Sequence, residues 1–223
     1  MITDYNQTKE LLTSQGKFYI NLGLDRIKSL LNLLENPQNN IKIIHIAGTN
    51  GKGSVCAILA NILKESGYKT GLYTSPHLVE YTERIKINNE DIPKDDFALY
   101  INEICNIADK SNIDLTEFEI LTACAFKYFS DKKVDIAVME TGLGGRYDAV
   151  NVCEHPICEV ITSVSLDHTD KLGDTIEKIA YEKAGIIKND STVIVSADNI
   201  GFEVISDVAK QMNANILTVE KDI

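Results

Sequence analysis

The stretch Ile41-Lys42-Ile43-Ile44-His45-Ile46-Ala47-Gly48-Thr49-Asn50-Gly51-Lys52-Gly53-Ser54 decides the fold. Residues 41–47 are a short, apolar, β-branched run and predict a buried strand. The run passes straight into a glycine-rich loop. Residues 52–66 are expected as the helix that follows, with Gly67 suited to its C-terminal cap. Strand, glycine loop and helix in that order make a site for phosphate. The glycines let backbone N–H groups approach the oxygens, and the helix N-terminus adds partial positive charge. Lys52 has the reach to meet β- and γ-phosphates, and the Ser54 hydroxyl would sit near a magnesium ion. The loop departs from the pattern G-x-x-x-x-G-K-[ST] in two ways. Only two residues separate Gly48 from Gly51, and Gly53 stands between Lys52 and Ser54. The plain alternative is a glycine-rich turn with a surface lysine, and the strand–loop–helix context argues against it. Gly48, Thr49, Asn50, Gly51, Lys52, Gly53 and Ser54 are thus the expected nucleotide-binding residues.

The same alternation continues outward. Residues 25–35 read as a helix, with Ile27, Leu30, Leu31 and Leu34 on one face and Pro37 as its stop. Residues 70–73 predict a strand, and 83–87 another with Asn88-Asn89 as its turn. Helices are expected over 93–111, 116–130, 174–185 and 201–213, the third capped by Asp174 or Thr175. Strands are expected over 134–139, 157–164, 192–195 and 216–219. Strands alternating with helices predict an α/β fold: a mostly parallel sheet with helices on both faces. Ligands of such sheets sit at the carboxyl ends of the strands.

The bulk numbers fit one large domain spanning 1–223. The 223 residues are 44% hydrophobic and 25% charged, with a formal net charge of −11. An acidic surface repels phosphate backbones and anionic lipid, so neither nucleic acid nor membrane is an expected partner. Residues 1–10 are polar, with no apolar leader, and no apolar run approaches the roughly 18 residues of a membrane span. Five cysteines without C-x-x-C spacing read as reduced thiols. These features predict a cytoplasmic protein.

Glu140 follows the predicted strand 134–139. It precedes Thr141-Gly142-Leu143-Gly144-Gly145-Arg146, a flexible loop with a basic side chain. Glu140 as a metal ligand and Arg146 as an anion contact form a coherent pair beside a triphosphate, which needs Mg²⁺ and oxygen ligands. Asp167-His168 follows the strand 157–164 on the same sheet edge, where His168 reads equally as a structural or a functional residue. Lys183, near the end of a predicted amphipathic helix, reads from its spacing as a solvated surface lysine.

Five stretches in series carry a resemblance. They are Ile44-His45-Ile46-Ala47-Gly48-Thr49-Asn50-Gly51-Lys52-Gly53-Ser54, Thr74-Ser75-Pro76-His77-Leu78, Glu140-Thr141-Gly142-Leu143-Gly144-Gly145-Arg146, Leu166-Asp167-His168-Thr169 and Glu182-Lys183-Ala184-Gly185-Ile186-Ile187. In order and spacing, from about Gly23 to about Lys188, the chain resembles the folylpolyglutamate synthase / dihydrofolate synthase family of the Mur ligase superfamily. The resemblance implies an ATP-binding Mur-ligase-type domain. It also implies a ligase that joins L-glutamate to dihydropteroate or a reduced folate. ATP phosphorylates the acceptor carboxylate, and the glutamate amine displaces phosphate from the acyl phosphate. The catalytic set it implies is Lys52, Glu140, His168 and Lys183. Ser75, Glu140 and His168 match magnesium ligands. Lys183 matches a lysine that is carbamylated and helps hold a second Mg²⁺, which reverses the reading from spacing alone. On the substrate side it implies Arg26, Phe118, Glu119, Arg146, Asp148 and Asn151. Phe118 would stack on a pterin and Glu119 would pair with its edge, although Phe118 also fits a core position. Val150 stands where the family commonly has threonine, and Ser165 where it commonly has glycine.

Family members are longer and carry a second α/β domain, so this chain is expected to correspond to their first domain, to bind nucleotide weakly and not to turn over alone. The family also suggests a monomer. Two other readings share the phosphate loop: a Mur-type ligase of cell-wall synthesis, and a nucleotide-binding module without turnover.

Overall fold

The computed structural model describes residues 4–14 and 23–220. The first three residues of the polar N-terminal stretch, and the last three of the domain expected over 1–223, lie outside them. One sheet holds eight strands: β1 Lys42–Ala47, β2 Thr70–Tyr73, β3 Ile85–Ile87, β4 Glu90–Asp91, β5 Ile136–Glu140, β6 Cys158–Ile161, β7 Thr192–Ser196 and β8 Asn215–Val219. Its order is β4-β3-β2-β5-β1-β6-β7-β8. Every pairing from β2 to β8 is parallel, and only the pairings β2–β3 and β3–β4, at one edge, are antiparallel. Strand β1 lies between β5 and β6, with Ile46 in register with Glu140 and His45 with Glu159. The chain leaves β1 toward β2 on one side and later reaches β6 on the other. The carboxyl end of β1 is therefore a topological switch point, where an open α/β sheet holds its ligand.

The helices are α1 Tyr5–Ser14, α2 Asp25–Leu33, α3 Lys52–Glu65, α4 Lys94–Lys110, α5 Glu117–Asp131, α6 Thr169–Leu172, α7 Ile176–Ala184 and α8 Phe202–Gln211. They cover both sheet faces, as the alternation predicts. Ile44, Ile46 and Val138 pack with Cys56 and Ala60 of α3. On the other face, Ile43, Ala137 and Met139 pack with Phe126 and Phe129 of α5. Ala47, Ile161, Val193 and Val195 pack with Ile179 of α7 and Ile205 of α8. Five of the six residues of β1 are buried, as a central parallel strand requires. Each large aliphatic among them contributes about 1.5–3 kcal/mol of burial.

Local chemistry sets the element ends. Gly67, at φ 91°, takes the left-handed turn after α3. Thr116 caps α5 in a reciprocal capping box with Glu119, and Thr175 rather than Asp174 caps α7. Asn88 and Asn89, both at positive φ, make the β3–β4 turn. Two runs and two short helices differ from expectation. The run 83–87 opens as a 3₁₀ turn, Tyr81–Arg84, held by a Glu80–Glu83 capping box. The strand expected over 157–164 stops at Ile161, because residues 162–165 turn to bind the phosphate loop. Helices α1 and α6 were not anticipated; α6 is a single turn, and α1 carries its few apolar contacts in a polar sequence.

Candidate active site

The loop after β1 is built by close approach. At Gly48, φ is 149° and a Cβ would lie 1.9 Å from Thr162 Oγ1, so only glycine fits. The segment after β6 then straps the loop. Thr49 N–H donates to the Ser163 carbonyl at 2.8 Å, and Asn50 N–H donates to Ser163 Oγ at 2.9 Å. Thr162 Oγ1 donates to the Asn50 carbonyl at 2.8 Å. Gly51, at φ 83°, hands the chain to α3. No side chain caps α3, so its first-turn amides, at Lys52, Gly53 and Ser54, keep no partner within the helix. They point out with the positive end of the helix dipole. Lys52 Nζ folds over the loop and donates to the Gly48 and Thr49 carbonyls at 3.0 and 3.3 Å. A cation held by two carbonyls and flanked by free amide donors is a cradle for phosphate. Thr162 and Ser163 were missed by sequence reasoning. The signal for them is two hydroxyl residues immediately after a strand that neighbours the loop strand.

Glu140 ends β5 and is 4% exposed. Its Oε2 accepts the Ser75 N–H at 3.1 Å, and its carboxylate lies 3.7 and 4.0 Å from where a Cβ on Gly53 would stand. Burial raises its pKa, while the Ser75 amide, Lys52 and Arg84 act the other way. A buried carboxylate against the first turn of the phosphate helix, with the Ser75 hydroxyl residue beside it, suits Mg²⁺, which takes one or two protein oxygens and fills the rest with phosphate and water. No group of three or more His, Cys, Asp or Glu able to hold a metal occurs among the described residues. The expected set is thus divided. Ser75 pairs with Glu140, while His168 lines a cavity of about 20 Å³ with Lys52 and Lys183. His168 itself is exposed and sits 3.7 Å from Asp167.

Lys183 is 3% exposed, so the spacing-based reading of a solvated lysine does not hold. Desolvation, then Lys52, lowers its pKa to about 8, with Asp167 opposing. Glycines bring it there. A Cβ on Gly145 would lie 2.7 Å from the Glu182 carbonyl and 2.9 Å from that of Lys183, and one on Gly185 would lie 2.4 Å from Arg146 Cβ. The loop 142–146 and the end of α7 therefore lock backbone to backbone.

The expected substrate residues divide as well. Phe118 lies over Gly142, whose Cβ would fall 2.5 Å from the ring, and its ring centroid is 6.0 Å from that of Tyr73. It is half-buried and borders the Glu140 loop. Arg26 and Glu119 pair with each other, at 3.2 Å for Nη2–Oε1 and 3.3 Å for Nε–Oε2. Glu119 also accepts from Thr116 N–H and Oγ1. Arg26 and Thr116 thus hold the Glu119 carboxylate at the start of α5. Asp148 is likewise turned inward. Its Oδ2 accepts from the Gly142 and Leu143 amides at 2.9 Å each and its Oδ1 from Val150 at 3.0 Å. Desolvation pushes its pKa up to about 7 against those three donors. Asn151 Nδ2 donates to the Arg146 and Gly185 carbonyls, tying the loop to α7. Arg146 stacks on Tyr181 at 4.0 Å and donates to its carbonyl. Asp148, Asn151 and Arg146 thus shape the loop that follows Glu140.

Residues 46–222 match the Mur ligase middle domain. The chain is 42% identical over 201 residues to the dihydrofolate synthase/folylpolyglutamate synthase of Bacillus subtilis, covering 88% of this chain and 46% of that protein. The Escherichia coli FolC structure in complex with DHPP and ADP superposes with a TM-score of 0.84 at 35% identity, covering 94% of this chain and 50% of the other. The Mycobacterium tuberculosis folylpolyglutamate synthase complexed with ADP gives 0.88 at 36% identity, covering 98% and 50%. The chain spans about half the length of these relatives. Strapped loop, uncapped helix and family match agree, and the chain belongs to the Mur ligase middle-domain family, with the resemblance to the folylpolyglutamate synthase / dihydrofolate synthase branch holding along most of its length.

Proposed function

We propose that this chain is the nucleotide-binding part of an ATP-dependent ligase that joins L-glutamate to dihydropteroate or a reduced folate. The observation that carries the reading is the uncapped start of α3 behind a strapped glycine loop, with Lys52 folded over that loop and lining one small cavity with Lys183. In this reading the amides of residues 52–54 and Lys52 Nζ hold the ATP phosphates, and Lys52 leaves its loop carbonyls to do so. Bound Mg²⁺ would neutralise phosphate charge, held by Ser75 and Glu140, with a second ion near His168 and a carbamylated Lys183. The free-amine form that carbamylation needs is favoured by the lowered pKa of Lys183. Phe118 supplies a flat apolar face beside the Glu140 loop, suited to a pterin ring. The chain's residues thereby align an acceptor carboxylate with the terminal phosphate, and charge neutralisation and positioning lower the barrier. Support comes from relatives whose structures hold ADP, one of them with DHPP.

The same reading makes the protein a cytoplasmic monomer with small-molecule partners. Among the described residues, no helix is long and apolar enough to cross a membrane, and the cysteines are free. Titration calorimetry of the 223-residue chain with MgATP tests the site: saturable binding that is lost in Lys52→Ala is expected, and no binding overturns the proposal. Phosphate release is expected to be absent for these residues alone, and robust glutamate-dependent release would overturn their assignment as only the nucleotide-binding part. In a form carrying the length of the relatives, comparing dihydropteroate with a reduced folate monoglutamate identifies the acceptor.

A further inference from the structure

One buried polar pair is untouched by the roles above. His45 on β1 is fully buried, and its Nε2 lies 3.0 Å from Thr141 Oγ1. Its Nδ1 has no hydrogen-bond partner. Burial and the Lys188 ammonium hold the imidazole neutral, with a pKa lowered to about 3. A neutral imidazole has one N–H and one bare nitrogen. A buried N–H without an acceptor is costlier than a bare lone pair, so the proton belongs on Nε2. Glu159, in register with His45 on β6, does not take a proton from Nδ1: its Oε1 accepts the Lys188 N–H, and its Oε2 has no partner. With Nε2–H donating to Thr141, the hydroxyl oxygen is an acceptor toward His45 and retains its own proton to donate. Thr141 also lines the small cavity it shares with Gly48, Lys52, Lys183 and His168. A residue with a hydroxyl proton to donate, lining one cavity with two lysines at the phosphate loop, has an anion as its natural acceptor.

We propose that the Thr141 hydroxyl is a hydrogen-bond donor to a phosphate group of the bound nucleotide, and that His45 is the positioning residue that fixes it in that role. This rests on the nucleotide reading above. The test is titration calorimetry of the 223-residue chain with MgATP, each variant first shown to be folded by thermal unfolding. Thr141→Val is expected to weaken binding about tenfold, the size of one hydrogen bond to a charged group, and Thr141→Ser to retain it. His45→Leu is expected to weaken binding to a similar extent. His45→Gln, whose Nε2–H can stand where the imidazole Nε2–H stood, should restore it. The double variant His45→Leu/Thr141→Val should be no weaker than Thr141→Val, because His45 acts only through Thr141. Rescue by glutamine and this non-additivity are not expected of residues that merely fill the core. Wild-type affinity in Thr141→Val, multiplying losses in the double variant, or a His45→Gln as weak as His45→Leu would each overturn the proposal. If His45→Leu does not fold, the Thr141 valine–serine comparison decides. Absence of MgATP binding by the wild type removes the nucleotide reading itself, whereas wild-type binding unchanged by Thr141→Val removes this inference alone.

Discussion

Replacing Lys183 by methionine takes away a charge that the fold holds out of water. Lys183 is 3% exposed, and burial together with Lys52 lowers its pKa from 10.5 to about 8. The unfolded chain therefore binds more protons than the folded one between about pH 8 and 10.5. Stability at this position rises as pH climbs through that window, and the full penalty applies below it. That lowering corresponds to roughly 3 kcal/mol. Methionine keeps most of the stem and carries no charge. K183M should thus exceed the wild type in stability at pH 7 by up to about 3 kcal/mol, or roughly 6–12 °C in Tm for a domain of this size. The difference should shrink by pH 10. Calorimetric unfolding in buffer free of carbon dioxide, at pH 7 and again near pH 10, reads both. A K183M that melts at or below the wild type at pH 7 would refute the buried cation. The same shift governs carbamylation. At pH 7 a pKa of about 8 leaves about one amine in ten unprotonated, against about one in 3,000 for an ordinary lysine. Only that form adds carbon dioxide. Bicarbonate labelled with ¹³C should give a carbamate resonance in the wild type that K183M lacks. It should also raise the wild-type Tm, because an anion beside Lys52 replaces a second cation.

Asp148→Ala should cost about 2–3 kcal/mol in urea unfolding, because the amides of Gly142, Leu143 and Val150 lose their acceptor. An unchanged midpoint would mean the loop holds itself. Gly185→Ala should cost about 1–3 kcal/mol, since its Cβ would sit 2.4 Å from Arg146 Cβ and must push the loop off α7; an unchanged urea midpoint would mean the contact relaxes freely. His45 has a folded pKa of about 3 against 6.5, so its contribution is complete above pH 6.5 and is lost as pH falls toward 3. At pH 5 the loss amounts to about 2 kcal/mol, and His45→Gln should show a flatter decline in stability from pH 7 to pH 5. Parallel slopes for the two proteins would contradict a buried neutral imidazole.

The sheet was legible because its strands are short apolar β-branched runs, and residues 41–47 carry five buried positions in six within β1. Periodicity also located α2, α4, α5, α7 and α8 to within a few residues. It failed where side chains serve another element. Residues 162–164 are β-prone and read as strand, yet the Thr162 and Ser163 hydroxyls and the Ser163 carbonyl belong to the phosphate loop. Lys183 read as a surface lysine because charge on a helix is usually solvated. Its burial is set by the glycine contacts of Gly145 and Gly185 with a loop some forty residues away in sequence, and only the family resemblance pointed to it. Glu119 and Asp148 show another side of the same problem. Thr116 and Arg26 hold the Glu119 carboxylate, and three backbone amides hold that of Asp148, and no spacing rule reports such internal partners.

The two departures of the phosphate loop from the Walker pattern each have a structural explanation. A short loop has fewer residues to stabilise its own turns. Here the rigidity comes from outside, through Thr162 and Ser163, and the 1.9 Å clearance at Gly48 admits that strap only if no side chain stands there. Gly53 then occupies the place where the pattern has serine or threonine after the lysine. A Cβ there would already reach within 3.7 Å of the Glu140 carboxylate, so a hydroxyl side chain would enter the space between α3 and that carboxylate. The residue whose amide binds Glu140 is Ser75, at the end of the neighbouring strand β2. The metal-side hydroxyl is thus best sought on Ser75 rather than on Ser54, which is exposed one residue further along α3. In the proposed function, a metal-side hydroxyl on the 74–78 loop rather than on the phosphate helix would make nucleotide binding sensitive to the placement of that loop.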